Sequence, residues 1–136
     1  MQTEIRLLTA EKGNEMTLQE LYGLIDGNYE QAQRVMKMDK LIDRYIRKLK
    51  NSDVGDRLAA AGQTMDAAGL FESAHAMKGV CANLGLEKLA GLANEITEEF
   101  RPGNSRTMSD GEVKEKLNEI NDLYQKTLEY IARYEG

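Results

Sequence analysis

The chain has 136 residues, of which 41% are hydrophobic and 30% are charged, which favours one globular domain over a disordered or membrane-embedded chain. Its net charge of −5 argues against nucleic acid as the main partner, because contacts to phosphates need a basic surface. With a single cysteine, no apolar run near the roughly 20 residues that cross a bilayer, and no signal peptide, the chain is expected in the reducing cytoplasm.

Apolar residues recur at helical spacing along most of the chain, while no strand alternation stands out and there is one proline. Residues 1–16 are interpreted as an N-terminal extension and residues 17–136 as a single helical domain. Thr17 and Glu20 form a capping box that predicts a first short helix. A second short helix is expected from Asn28 to about Val35.

Four later helices are long enough to form an antiparallel bundle, and they are expected around residues 38–50, 66–83, 86–100 and 110–134. Ser52 is a candidate cap for a weaker helix between the first two. Asp66 and Asp110 are expected to cap the second and the last of the long helices at their N-termini. We therefore predict an all-α fold, an antiparallel four-helix bundle with the short N-terminal helices covering one end.

Basic residues are concentrated in one predicted helix, between Lys37 and Lys50. The simpler interpretation is a solvated helix face whose cations lie near the C-terminal end, where the helix dipole favours them. The alternative is a docking surface for an acidic partner.

The helix that contains the only histidine of the chain divides into two sides. At about 100° per residue, one apolar stripe is expected to face the core, namely Leu70, Ala74, Met77, Cys81 and Leu84. His75 lies off this stripe, towards solvent. Its neighbours one or two turns away are Phe71, Lys78, Gly79 and Ala82.

Gly79 costs a helix roughly 1 kcal/mol relative to alanine, but it leaves bare backbone beside the imidazole, where another molecule can approach. A neutral imidazole nitrogen is a good nucleophile near neutral pH, and Lys78 is placed to reach a phosphoryl group on His75. The set therefore predicts a reversible phosphate acceptor. Taken singly, each residue has a simpler explanation: a surface histidine, a surface lysine, or a glycine that serves helix packing.

The segment AHAMKGVCANLGLEKLAGLANEI, residues 74–96, resembles the signature of histidine-containing phosphotransfer (HPt) domains. Ala74, His75, Lys78 and Gly79 match that signature in type and spacing, as does the Leu84-Gly85 pair. The wider resemblance runs roughly from Thr17 to Phe100. Ala76 and Met77 depart mildly from the family pattern, which commonly has threonine or serine and then leucine there.

The resemblance implies a phosphorelay intermediate of a two-component system that accepts a phosphoryl group from an aspartyl phosphate on a receiver domain and passes it to another receiver. By that resemblance His75 is phosphorylated, Lys78 stabilises the phosphoryl charge, and Gly79, with Phe71 and Ala82, belongs to the docking side. No metal ligand or cofactor is implied, because magnesium comes from the receiver. Family members also place a polar residue of the next helix beside the histidine, and here the candidates are Thr97, Arg101 and Asn94.

Other function classes are weighed against this one. A histidine kinase needs an ATP-binding domain, for which the chain has neither a glycine-rich motif nor the length, although it could be an HPt module of a larger kinase. A helical adaptor that binds a receiver or kinase without phosphotransfer remains the alternative. A metal site is disfavoured, because one histidine without clustered carboxylates or thiols cannot build it. We expect a phosphocarrier without kinase activity, monomeric, with receiver domains of response regulators or hybrid kinases as partners and with neither nucleic acid nor membrane bound.

Overall fold

The computed structural model describes residues 16–135, so the predicted extension lies outside the described residues except for Met16. The described range contains helices and no strands, which confirms the all-α prediction. Its seven helices are α1 (Leu18–Leu24), α2 (Tyr29–Met36), α3 (Asp39–Leu49), α4 (Val54–Thr64), α5 (Ala67–Asn83), α6 (Glu87–Glu99) and α7 (Asp110–Glu135).

The bundle is a closed ring in which α4, α5, α6 and α7 each pack against two neighbours. The sequence predicts the helix around residues 38–50 as a member of the ring, but α4 takes that place beside α5. The reason is a break at Asn51 and Ser52, after which the chain starts a new helix at Val54. α3 instead packs on α7 and α2, outside the ring.

α7 has 26 residues and is long enough to pack along both α4 and α3, to which it runs antiparallel. Leu117, early in α7, lies at Gly62 near the end of α4. The Tyr124 hydroxyl lies 3.4 Å from the Leu49 carbonyl oxygen at the end of α3, and the Tyr134 hydroxyl hydrogen-bonds to Asp43 further back in that helix. α3 and α4 thus pack along α7 one after the other, separated by the break between Leu49 and Val54.

Two glycines of α4 bring that helix close to α7. A Cβ atom on Gly55 would stand 2.7 Å from the Tyr124 ring, and one on Gly62 would stand 2.6 Å from Leu117 Cδ1. Both distances are too short for real carbon contacts. These positions therefore fix the spacing and the register of α7 against α4.

The two short N-terminal helices cover the end of the bundle where α5 turns into α6, as predicted. The Tyr22 hydroxyl donates to the Leu84 carbonyl oxygen at 2.6 Å, and the Asn28 amide donates to the Gly85 carbonyl oxygen at 2.7 Å. Gly85 has φ +72°, and a side chain there would overlap the Asn28 carbonyl oxygen. Only glycine meets both requirements of this turn.

The predicted helix caps are partly confirmed. Thr17 and Glu20 form the expected capping box, and Asp66 precedes α5, although its side chain makes no capping hydrogen bond. Asp110 is not the cap of α7. Ser109 and Glu112 exchange hydrogen bonds between side chain and backbone, at 2.8 and 3.1 Å, so the capping box begins one residue earlier.

A buried carboxylate ties the segment between α6 and α7 to the bundle. Glu99 accepts hydrogen bonds from the amides of Thr107 and Met108, both at 2.8 Å, from the Thr107 hydroxyl, and from Arg106. Desolvation alone raises the pKa of this carboxyl, but these hydrogen bonds outweigh it and lower the pKa to about 2. The segment is therefore held by one ionised side chain.

Candidate functional site

The α5 helix separates into the two sides that its sequence predicts. The apolar stripe is buried, with Leu70, Ala74, Met77, Cys81 and Leu84 each at most 1% exposed. The apolar residues of α6 that recur at helical spacing, Leu89, Leu92, Ala93 and Ile96, are buried as well. The opposite side of α5 is open and carries His75, Gly79 and Ala82 as exposed residues. We call Phe71, His75, Lys78, Gly79 and Ala82 the His75 face.

The imidazole of His75 packs against the ring of Phe71, one turn earlier in α5. The two ring centroids are 5.6 Å apart and the planes meet at 46°. Within residues 16–135 the imidazole makes no hydrogen bond to the protein, so both ring nitrogens are open to an approaching molecule.

Gly79 provides the open space that its sequence position suggests. A Cβ atom built there would meet no atom of residues 16–135 within 4 Å, so the glycine is not required for packing in the described part of the chain. That finding removes the simpler explanation of Gly79 as a helix-packing residue. It is consistent with a partner that comes close to the backbone beside His75.

A cation just beyond the C-terminal end of α6 lies in the same region. The guanidinium of Arg101 lies over the Phe71 ring at 5.2 Å, and Phe71 in turn contacts His75. Arg101 also binds the carboxylate of Glu98, with Nε 3.1 Å from both oxygens and one terminal nitrogen 2.8 Å from Oε2. Of the three candidates Thr97, Arg101 and Asn94, Arg101 is thus the one whose contacts lead to His75, by way of Phe71.

The other two candidates differ in what their side chains do. Thr97 is fully buried, and its hydroxyl donates to the Ala93 carbonyl oxygen of its own helix at 2.9 Å. The amide oxygen of Asn94 is buried and accepts no hydrogen bond from the described residues.

Sequence reasoning missed Glu98, whose charge is coupled to two cations of the site. The hydrogen bond from Arg101 lowers the pKa of Glu98 most, and the charges of Arg101 and Lys78 lower it further. The spacing of Glu98 and Arg101, three residues apart on a helix, is the signal that could have found the pair.

An apolar groove, also missed, opens beside the His75 face between α2, α3 and α5. It has a volume of about 490 Å³, and three of its lining residues are large and exposed, namely Val35, Tyr45 and Val80 at 38–41%. Asn83 also lines the groove and lies one turn after Gly79 on α5, so the groove adjoins the His75 face. We call it the Val80 groove.

The basic helix α3 has two kinds of cation. Arg47 pairs with Asp43 and Glu135, and Lys50 pairs with Glu135, so these two connect α3 to the end of α7. Lys48 lies over the Tyr45 ring at 5.2 Å and lines the Val80 groove. The basic segment thus combines a structural contact with a charge beside the groove.

The comparison with protein families decides what this bundle is. The model of the Hpt domain matches residues 38–130, which include the His75 face and reach well into α7. The chain belongs to the Hpt domain family. No curated protein and no solved structure matched it.

Membership confirms the resemblance found in the sequence. Hpt domains are four-helix bundles that act as phosphocarriers, not enzymes, in two-component phosphorelays, where they interact with receiver domains. In the described part of this Hpt domain, no three potential metal-ligating side chains come together, and no helix has the length and apolar character to cross a membrane.

Proposed function

We propose that His75 is the phosphoryl-carrying residue of this Hpt domain and that it passes the group between aspartyl phosphates of receiver domains. The observation that carries the proposal is the open surface around His75, where Gly79 leaves empty space beside an imidazole whose ring nitrogens are unoccupied. Binding alone would not need a nucleophile at the centre of such a face.

The transfer is a displacement at phosphorus. The unprotonated imidazole nitrogen attacks the phosphorus of the aspartyl phosphate, the new N–P bond forms, and the P–O bond to the aspartate breaks so that its carboxylate leaves. The Lys78 ammonium, half-buried next to His75, stabilises the negative charge of the group in transit. Magnesium belongs to the receiver. The reverse displacement delivers the group to the next receiver.

The receiver is proposed to cover both the His75 face and the Val80 groove. The groove supplies apolar area next to the reactive residue, since Val35, Tyr45 and Val80 are among the few large apolar residues left exposed. Phe71 and Ala82 lie on the same side of α5 and complete the docking face with Gly79. We further propose that the chain acts as a monomer in the cytoplasm.

The test mixes the protein with a phosphorylated receiver and magnesium and follows phosphate that is labile in acid and stable in base, as expected for phosphohistidine. The wild-type chain should take up the phosphate, and His75→Gln should not. Uptake by His75→Gln would overturn the proposal. Stable receiver binding without phosphate uptake by the wild type would establish the alternative, a helical adaptor.

A further inference from the structure

A continuous set of contacts connects Glu98 to the imidazole across two helices. The carboxylate binds the Arg101 guanidinium, at 2.8 Å for the shortest pair of atoms. The guanidinium lies 5.2 Å above the Phe71 ring, and that ring packs against His75 at 5.6 Å. Glu98 therefore fixes where the Arg101 cation lies relative to His75.

The charged groups near His75 come from α5 and from the end of α6. Lys78 and Glu72 lie one turn from His75 on α5, whereas Glu98 is in the last turn of α6 and pairs with Arg101 just beyond the end of that helix. Glu98 interacts with both cations, as the lowering of its pKa first by Arg101 and then by Lys78 indicates. Arg101 thus has a carboxylate partner before any phosphate arrives, and the charge of Glu98 also acts on Lys78.

We propose that Glu98 is a positioning residue which competes with the phosphoryl group for Arg101 and so limits how strongly that group is held on His75. The inference rests on the proposed function and adds a regulator of the same site. A phosphoryl group brings about two negative charges, so each cation that Glu98 occupies stabilises it less. A carrier must release what it accepts, and this competition keeps the bound state from becoming too stable.

The substitution Glu98→Gln removes the charge and keeps an oxygen that can accept a hydrogen bond from Arg101. We expect the equilibrium between receiver and His75 to shift towards phosphohistidine by about threefold, the size typical of one charge at a solvent-exposed site. The shift should shrink in 1 M salt, where the Debye length is about 3 Å. A purely structural role of Glu98 would not produce that salt dependence.

A second measurement needs no receiver. Phosphoramidate transfers its phosphoryl group to the imidazole as its own N–P bond breaks and ammonia leaves with the imidazole proton. The pKa of the resulting phosphoryl group is then read from the ³¹P NMR shift. We expect Glu98→Gln to lower this pKa by several tenths of a unit, because the dianion loses a repulsive neighbour, and Glu98→Asp to restore it towards the wild-type value.

Glu95→Gln is the matched control. Glu95 is one turn earlier on α6, and its side chain is 48% exposed compared with 46% for Glu98, but it pairs with Lys116 of α7. The Glu95→Gln variant should change neither the phosphotransfer equilibrium between receiver and His75 nor the pKa of the phosphoryl group. The proposal is overturned if Glu98→Gln behaves like the wild type, or if Glu95→Gln shifts both quantities as much. A wild type that accepts phosphate only from phosphoramidate would refute the proposed relay function, while the NMR comparison would still decide the role of Glu98.

Discussion

Gly79→Gln should make the bundle more stable and at the same time prevent phosphotransfer. Gly79 lies within α5, is exposed, and has no atom within 4 Å of an added Cβ, so a new side chain meets no obstacle in this chain. Glutamine is a good helix former, while glycine costs roughly 1 kcal/mol relative to alanine. We therefore expect the free energy of unfolding to rise by roughly 0.5–1 kcal/mol.

The same side chain would fill the space beside His75 that a receiver needs. Displacing reacting atoms by about 1 Å can cost on the order of a hundredfold in rate, and a glutamine side chain is several times longer than that. We expect the rate of transfer from a phosphorylated receiver to fall by about a hundredfold or more. Gly79→Ala should show the gain in stability with a smaller loss of rate.

The assay pairs urea denaturation with quenched-flow measurement of phosphohistidine, and it uses Gly91→Gln as the control. Gly91 is in the interior of α6, and a Cβ atom added there would also meet open space, but unlike Gly79 it is on a different helix from His75. The Gly91→Gln variant should become more stable by a similar amount and keep the wild-type transfer rate. A Gly79→Gln variant that transfers at the wild-type rate, or that unfolds more easily than the wild type, would refute the reasoning.

Lys78→Gln should lower the transfer rate about tenfold with an unchanged urea midpoint, because it removes a charge that stabilises the transition state. An unchanged transfer rate would exclude a role of Lys78 in stabilising the phosphoryl charge. Asn94→Ala should slow transfer severalfold, whereas Thr97→Val should not, because the Thr97 hydroxyl hydrogen-bonds within α6. Quenched-flow measurement of the two transfer rates distinguishes the variants, and a slower rate for Thr97→Val than for Asn94→Ala would favour Thr97. The pKa of Glu99 falls from 4.5 to about 2 on folding, so its ionised form stabilises the fold above pH 4.5, and this contribution, about 3 kcal/mol, is lost as the pH falls towards 2. Glu99→Gln should therefore be less stable than the wild type at pH 7 and no less stable near pH 2 in urea titrations; a difference that does not depend on pH would contradict this.

Periodic burial made most of the fold predictable. The stripe from Leu70 to Leu84 was identified because every third or fourth residue is apolar, and that rule needs no knowledge of neighbours. Which helix stands beside α5 was not predictable in this way. α3 has a clear amphipathic pattern and α4 a weak one, yet it is α4, after the break at Asn51 and Ser52, that packs against both α5 and α7.

The site was predictable where it depends on one helix and not where it depends on two. His75, Lys78 and Gly79 share α5, so their spacing along the chain places them together. The contact of Arg101 with Phe71 depends on the register of α6 against α5, which spacing does not reveal. The Val80 groove was missed for the same reason, because its apolar residues come from three helices and each looks like an isolated surface residue in the sequence.

The order of helices in the ring has a consequence for synthesis of the protein. α4, α5 and α6 leave the ribosome before α7, and the 26 residues of α7 take roughly 1–5 s to make at 5–20 residues per second. During that time the apolar sides of α4 and α6 that α7 will cover are exposed to solvent. None of the residues of the His75 face or the Val80 groove lies in α7, but we expect nascent chains to present these surfaces in their final geometry only after α7 has been added.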